Sequence, residues 1–281
     1  MRKAAAGAVL GAAAARAAYF LLTRRPPRDE KLWLRTNHRG EPVTLLEGPA
    51  FVAGAVTAVA VAPGVPARMR VAAVFAGTAA GALGAYDDLA GSGDSRGFKG
   101  HLSALARGEV TTGAVKILGI GAAGLTAAAL AGTKGRGSAF DVLINGALVA
   151  GGANLLNLFD LRPGRAIKVG ALAGLPGTLS GSAVAAVPFG AAIALLPEDL
   201  GERAMLGDSG ANALGALLGL SAAHLPRTAR LGLLAGVAGL NAASEVVSFT
   251  KVIQATPALR WLDQLGRRPA VVPEARPTDA E

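Results

Sequence analysis

Nine apolar runs, separated by polar breaks, constrain this chain more than anything else in it. They fall near residues 4–22, 49–66, 70–87, 113–132, 139–158, 167–181, 183–197, 210–225 and 231–250. A bilayer crossing takes about 20 apolar residues, so most runs are near that length and the sixth and seventh are short. Of the 281 residues 52% are hydrophobic, a further 39 are glycine, and 17% are charged, against roughly 25% charged in an ordinary soluble domain. One globular core cannot bury that much apolar surface. Aromatic residues are only 4%, and the apolar mass is Ala, Gly, Val and Leu, which lets helices approach closely in lipid. The expected fold class is therefore all-α: a polytopic membrane helix bundle of about nine transmembrane helices, occupying residues 1–256, and not a porin-like barrel. The first run resembles a signal peptide because Arg2 and Lys3 precede it, but Arg16 interrupts it and eight runs follow. It reads as a retained helix.

Lys and Arg sort the loops. With the N-terminus outside, 19 basic residues lie on the inner side and 8 on the outer side. This predicts an outside N-terminus, a cytoplasmic C-terminus, and inner loops at 88–113, 158–167 and 198–209, in a multi-pass protein of the inner cell membrane. Inner-loop cations account for the net charge of +9 without nucleic acid. Residues 257–268, PALRWLDQLGRR, repeat leucine at 259, 262 and 265 with cations opposite, which suits an amphipathic helix lying on the membrane surface. The Pro-rich, charged residues 269–281 read as a disordered tail. With no cysteine in the chain, disulfides and thiolate metal sites are excluded.

Acidic residues are costly near a bilayer and mark function. Asp87 and Asp88 end the third run, Asp160 ends the fifth, and Asp208 opens the eighth. In the predicted orientation all four reach the cytoplasmic rim. Each has a plainer alternative: Asp208 as a helix N-cap, Asp87–Asp88 as a solvated helix end, Asp160 paired with Arg162 or Arg165. Asn154, Asn157 and Asp160 recur every three residues and form one polar ridge, which needs a ligand or a neighbouring helix as partner. Gly207, Ser209 and Gly210 surround Asp208 in GDSG, where a helix start would offer free N–H groups to a phosphate. Lys99, Arg107 and Lys116 supply nearby cations. Carboxylates, amides and a helix start at a membrane face suit Mg²⁺ with a diphosphate. The three histidines show no ligand spacing, and no Walker A, GxSxG or HExxH motif is present.

The segments YDD at 86–88, KG at 99–100, NLLNLFD at 154–160 and GDSG at 207–210 resemble, in order and in position at helix ends, the polyprenyl-phosphate N-acetylhexosamine-1-phosphate transferases. That superfamily includes the phospho-MurNAc-pentapeptide and GlcNAc-1-phosphate transferases, and the resemblance covers roughly residues 30–255. It implies Mg²⁺-dependent transfer of a sugar-1-phosphate from a UDP-sugar to a polyprenyl phosphate, with release of UMP. By motif match Asp208 is the principal Mg²⁺ ligand, joined by Asp87. Asp87 or Asp88 deprotonates or orients the lipid phosphate, and Asn154, Asn157 and Asp160 line the nucleotide–metal site. The implied partners are the lipid phosphate, the UDP-sugar and the membrane, with a homodimer allowed.

The chain also departs from that pattern. The usual DGxDG reads DLRPGRA here, which puts Arg165 about where a second acid is expected and where a change in donor binding would follow. No Lys follows the Asp pair, and no His-rich loop or tenth helix follows the ninth run. A catalytically inactive homologue that binds polyprenyl phosphate, or scaffolds envelope enzymes, is the alternative. A secondary transporter fits less well, because its polar groups would gather at the midplane.

Overall fold

The computed structural model describes residues 1–37, 39–91, 100, 103–104, 106–132 and 139–269. Eleven α-helices dominate them: α1 Arg2–Arg24, α2 Glu47–Val61, α3 Ala67–Ala90, α4 Thr112–Ala131, α5 Ala139–Phe159, α6 Arg165–Leu179, α7 Ala183–Leu200, α8 Gly207–Ser221, α9 Arg227–Ser244, α10 Phe249–Ala255 and α11 Pro257–Gln264. Each of the nine apolar runs overlaps one of the first nine helices. The helix starts carry recognisable signals. Thr111 accepts the Ala114 N–H at 3.1 Å, and Ser182 accepts that of Ala185 at 3.4 Å. Pro66 and Pro226 precede α3 and α9, and Pro257 opens α11, positions where a missing N–H costs nothing.

Five helices, α1, α3, α4, α5 and α7, are long and apolar enough to cross a membrane, and α9 with α10 makes a sixth if that bent pair counts as one span. The chain therefore has the make-up of a membrane protein. The ninth apolar run is not one straight helix: α9 and α10 meet at 97°. Ser248 starts α10 by accepting the Lys251 N–H at 3.4 Å, and the apolar pair Val246–Val247 masks this break in the hydropathy.

Helix α8 is the hub. It touches α2, α3, α5, α6 and α7, and Ala211, Ala213, Leu214, Ala216, Leu217 and Leu220 on it are buried. Around it α1 lies along α7 and α2, α4 bridges α3 and α5, and α9 packs on α5. The outer helices turn large apolar side chains outward, among them Leu118, Leu143, Leu172, Leu231 and Leu240. At the end of the bundle holding the start of α5, Asp141 accepts both Arg227 and Arg230, at 2.6 and 2.8 Å, and Arg230 donates to Asn145 at 2.7 Å. This ion network ties α5 to α9.

The other end carries an element that hydropathy does not reveal. Strands β1 Leu34–Thr36 and β2 Pro42–Thr44 form an antiparallel hairpin with Arg35 opposite Val43. Three-residue strands are too short to show alternation. Thr44 also bridges to Ala204 between α7 and α8. Asn37 and Arg39 both donate to Glu202 at 3.0 Å, and Glu41 pairs with Arg268 beyond α11. Helix α11 covers residues 257–264 of the predicted surface segment; its Leu259 and Leu262, with Leu265 just beyond, line an apolar cavity of about 610 Å³ against α6 and α7. The predicted tail at 269–281 lies, apart from Pro269, outside the described residues.

Candidate active site

The C-terminal end of α3, the start of α4, the end of α5 and the start of α8 converge on one rim of the bundle, bringing together Asp87, Asp88, Lys116, Asp160 and Asp208. The approach of α3 to α8 depends on Gly84. A Cβ there would stand 2.3 Å from the Asp208 carbonyl oxygen, closer than any side chain tolerates, so only glycine lets the two backbones meet.

Asp88 follows one turn later. Its carboxylate accepts the backbone N–H groups of Asp208 and Ser209, each at 3.0 Å. A side chain from α3 thus caps α8, neutralising the free amides and positive end that every helix start presents. The N-cap position of α8 itself is Leu206, which offers no side-chain bond. Asp208 is therefore not the cap that its place in GDSG suggests, and the phosphate-accepting amides expected there are already engaged by Asp88. Gly207 makes the turn into α8 at φ +58, a left-handed conformation that favours glycine. Ser209 is buried and donates its hydroxyl to the Gly81 carbonyl at 3.0 Å, while Gly210 packs against Gly48. Gly207, Ser209 and Gly210 thus seat α8 against its neighbours.

Freed from capping, Asp208 points at Lys116. The Lys116 ammonium donates to Asp87 Oδ2 at 2.6 Å and to Asp208 Oδ2. The three side chains are 11%, 16% and 25% exposed for Lys116, Asp87 and Asp208, so the triad is sheltered yet open at one side. Asp160 lies deeper. It neighbours Gly207, Asp208, Asp88 and Asp199, and its Oδ2 is buried without a hydrogen-bond partner among the described residues. The expected pairing of Asp160 with Arg162 or Arg165 is not seen.

Arg165 is turned elsewhere. It is 3% exposed and grips Asp263 of α11 with Nε at 2.7 Å and Nη2 at 3.2 Å, while Nη1 donates to Thr250 at 3.0 Å. This bidentate pair fastens α6 to α10 and α11 and leaves no free edge of the guanidinium for a nucleotide. Asn154 donates to Asn241 of α9, the interhelical partner that the polar ridge required. Asn157 is half-buried one turn farther along α5. Lys99 lies outside the described residues.

Next to the triad is a cavity of about 530 Å³ between α4, α5, α8 and α9, lined by Lys116, Ile120, Asn154, Asn212 and Asn241 among others. The Asn212 amide nitrogen is buried with no partner among the described residues. Two more buried acids stand behind the rim. Glu47 is wholly buried with both carboxylate oxygens unpartnered among the described residues, and Asp199 accepts the Gly164 N–H at 3.0 Å. Sequence reasoning passed over Asn212, Asn241, Glu47 and Asp199. Asn212 carried a signal, since it lies four residues after Asp208 and so on the same helix face.

Among the described residues no group of three or more acidic, histidine or cysteine side chains is placed to hold a metal ion. Mg²⁺, however, is usually bound by only one or two carboxylates together with phosphate oxygens and water. Asp87 and Asp208 meet that requirement, and the Lys116 ammonium already stands between them as a cation. The donor set fits Mg²⁺ in charge and in hardness. No family model matches the chain, and no curated protein matches it.

Proposed function

We propose that the protein is a polyprenyl-phosphate glycosyl-1-phosphate transferase, which moves a HexNAc-1-phosphate from a UDP-sugar to a polyprenyl phosphate and releases UMP. The observation that carries this reading is the triad: two carboxylates from α3 and α8 clasp one ammonium at the mouth of a largely apolar cavity. A lipid phosphate has the same division, an anionic head on an apolar body. Asp87 and Asp208 would hold Mg²⁺, which when bound supplies charge neutralisation for the diphosphate. Such a transfer needs in-line positioning and charge stabilisation more than an unusual nucleophile.

In this reading Lys116 meets phosphate charge, and Asn154 and Asn212 offer amides to the ligand in the cavity. Asp88 is a positioning residue, because its two acceptor bonds to α8 hold Asp208 in place. Asp87, whose Oδ1 is not engaged with Lys116, orients the lipid phosphate. Asp160 sits behind Asp208.

The membrane arrangement belongs to the same proposal: nine helices, N-terminus outside, C-terminus cytoplasmic, and the triad at the inner leaflet of the cell membrane, on the 19 to 8 division of basic residues. Helices α2, α6 and α8 have 15 residues each, about 22 Å at 1.5 Å per residue, which is short for a crossing. Helix α8 is enclosed by other helices along most of its length, so its flanks meet protein and not lipid. A reporter that works only in the cytoplasm, fused after residue 281, is expected to be active; activity of a periplasmic reporter there would reverse the orientation.

The activity itself is tested with purified protein, Mg²⁺, a short-chain polyprenyl phosphate and a panel of UDP-sugars, reading UMP. Release that needs all three components supports the transferase. Lipid phosphate binding without UMP from any donor would leave the inactive homologue, which the engagement of the α8 amides by Asp88 and of Arg165 by Asp263 favours.

A further inference from the structure

Lys116 occupies a position that the proposed chemistry reserves for a divalent cation. Its ammonium is the counter-charge for Asp87 and Asp208, and the same side chain forms part of the wall of the adjoining 530 Å³ cavity. A lysine is a point charge on a flexible four-carbon stem, so it can stay anchored at the start of α4 while its head changes partner. Two carboxylates cannot hold an ammonium and a dication together without strong repulsion between the cations. One must leave. The cavity gives the displaced ammonium a destination, and the Asn212 amide, unpartnered among the described residues, also lines it.

We propose that Lys116 is an exchangeable internal counter-ion: a divalent cation takes its place between Asp87 and Asp208, and the released ammonium receives a phosphate group in the cavity. This rests on the reading of Asp87 and Asp208 as cation ligands. Exchange links the two ligands. A phosphate in the cavity draws the ammonium away from the carboxylates and strengthens cation binding, and the cation strengthens phosphate binding by the same factor. With neither ligand present, Lys116 keeps the carboxylates satisfied and the site closed to weakly bound metal. Removing the ammonium leaves two sheltered carboxylates without a counter-charge, a state that a dication relieves.

Binding of Mn²⁺ to the full-length protein in detergent, read from the electron paramagnetic resonance of the free ion, tests this without any turnover. Wild type, Lys116→Met and Lys116→Arg are compared with and without inorganic phosphate, after correcting for phosphate–Mn²⁺ pairing in protein-free buffer. The expected result is Mn²⁺ affinity at least ~10-fold higher in Lys116→Met than in wild type, within the usual range of coupling between sites. Lys116→Arg keeps the charge and stays weak. Phosphate tightens Mn²⁺ several-fold on wild type and leaves Lys116→Met unchanged. Measurable binding that is no tighter in Lys116→Met overturns the exchange and spares the metal reading. Absence of binding in every variant overturns both. If Lys116→Met does not fold, wild type decides alone, and an Mn²⁺ affinity indifferent to phosphate rejects the proposal. Failure to release UMP while the exchange is observed counts against the transferase only.

Discussion

Gly84 and Asp208 are in backbone contact: a Cβ on the glycine would lie 2.3 Å from the Asp208 carbonyl oxygen and 2.7 Å from the Ser209 nitrogen. That contact fixes the distance between α3 and α8, and with it the reach of Asp87 to Lys116 and of Asp88 to the α8 amides. Both obstructing atoms are backbone, so no side chain can rotate out of the way.

Gly84→Ala is expected to push the two helices apart. The stability loss should be about 1–3 kcal/mol, the usual range for overpacking a tight contact, read as a lower unfolding midpoint in detergent. Any activity in the wild type should fall further than stability does, because the triad depends on that spacing. An alanine variant with unchanged midpoint and unchanged UMP release would mean that α3 and α8 adjust freely.

Asp88 makes a second, separable prediction. Its carboxylate receives two backbone N–H groups at the start of α8. Asp88→Ala removes both acceptors and should cost about 1–2 kcal/mol, as loss of an N-cap does. Asp88→Asn keeps one carbonyl oxygen and loses the charge that faces the helix dipole, so it should fall between wild type and alanine. Equal stability of all three proteins would show that the α8 start is satisfied in some other way.

Much of this site could be read from residue positions, because acids are conspicuous in an apolar chain and all stood at helix ends. The convergence of Asp87, Asp88, Asp160 and Asp208 on one rim followed from that, as did a helix in each apolar run. What spacing could not supply was the choice of partner. Asp88 finds its amides 120 residues away, and Arg165 finds Asp263 98 residues away; both pairings exist only once the helices have packed. Asp208 looked like a cap because GDSG opens a helix, and only the structure puts a second carboxylate on that role. Glu47 had no motif to mark it, yet as the first residue of α2 it is wholly buried. The bend after Ser244 and the hairpin at 34–44 were hidden for a simpler reason: one break is apolar, and the strands are three residues long.

The hairpin turn responds to pH through Glu41. Hydrogen bonds from Arg268 and then Asn37 hold its carboxyl down at about 2, from an ordinary value of 4.5. A depressed acid contributes stability that is complete above the unfolded value and is lost as pH falls through the folded one. The tie between the hairpin and Arg268 should therefore be constant at neutral pH and loosen between about 4.5 and 2. Both side chains are about 40% exposed, so salt should weaken the tie as well. Spin labels at Arg39 and Pro269 are unsuitable, because Arg39 itself bonds to that segment; labels at the exposed Thr36 and Gln264 report the distance. A Glu41→Gln protein whose label distances match wild type at pH 7 would remove the ion pair from the account.

Asp208→Asn separates charge from architecture. Asp208 does not cap α8, its backbone N–H is held by Asp88 whatever its side chain is, and an amide fills nearly the same space as a carboxylate. Helix α8 should therefore form and pack as before, with an unfolding midpoint close to that of the wild type. The change falls on the triad. Lys116 keeps only Asp87 as an ionic partner, and the pair of hard anionic ligands needed for Mg²⁺ is reduced to one. UMP release should fall about 100-fold or more, which corresponds to roughly 3 kcal/mol in the barrier, with part of the loss recovered at high Mg²⁺. Asp87→Asn should do the same, since the two carboxylates share one cation. A protein that folds normally and turns over at the wild-type rate with Asn at position 208 would leave Asp208 as a counter-ion to Lys116 and nothing more.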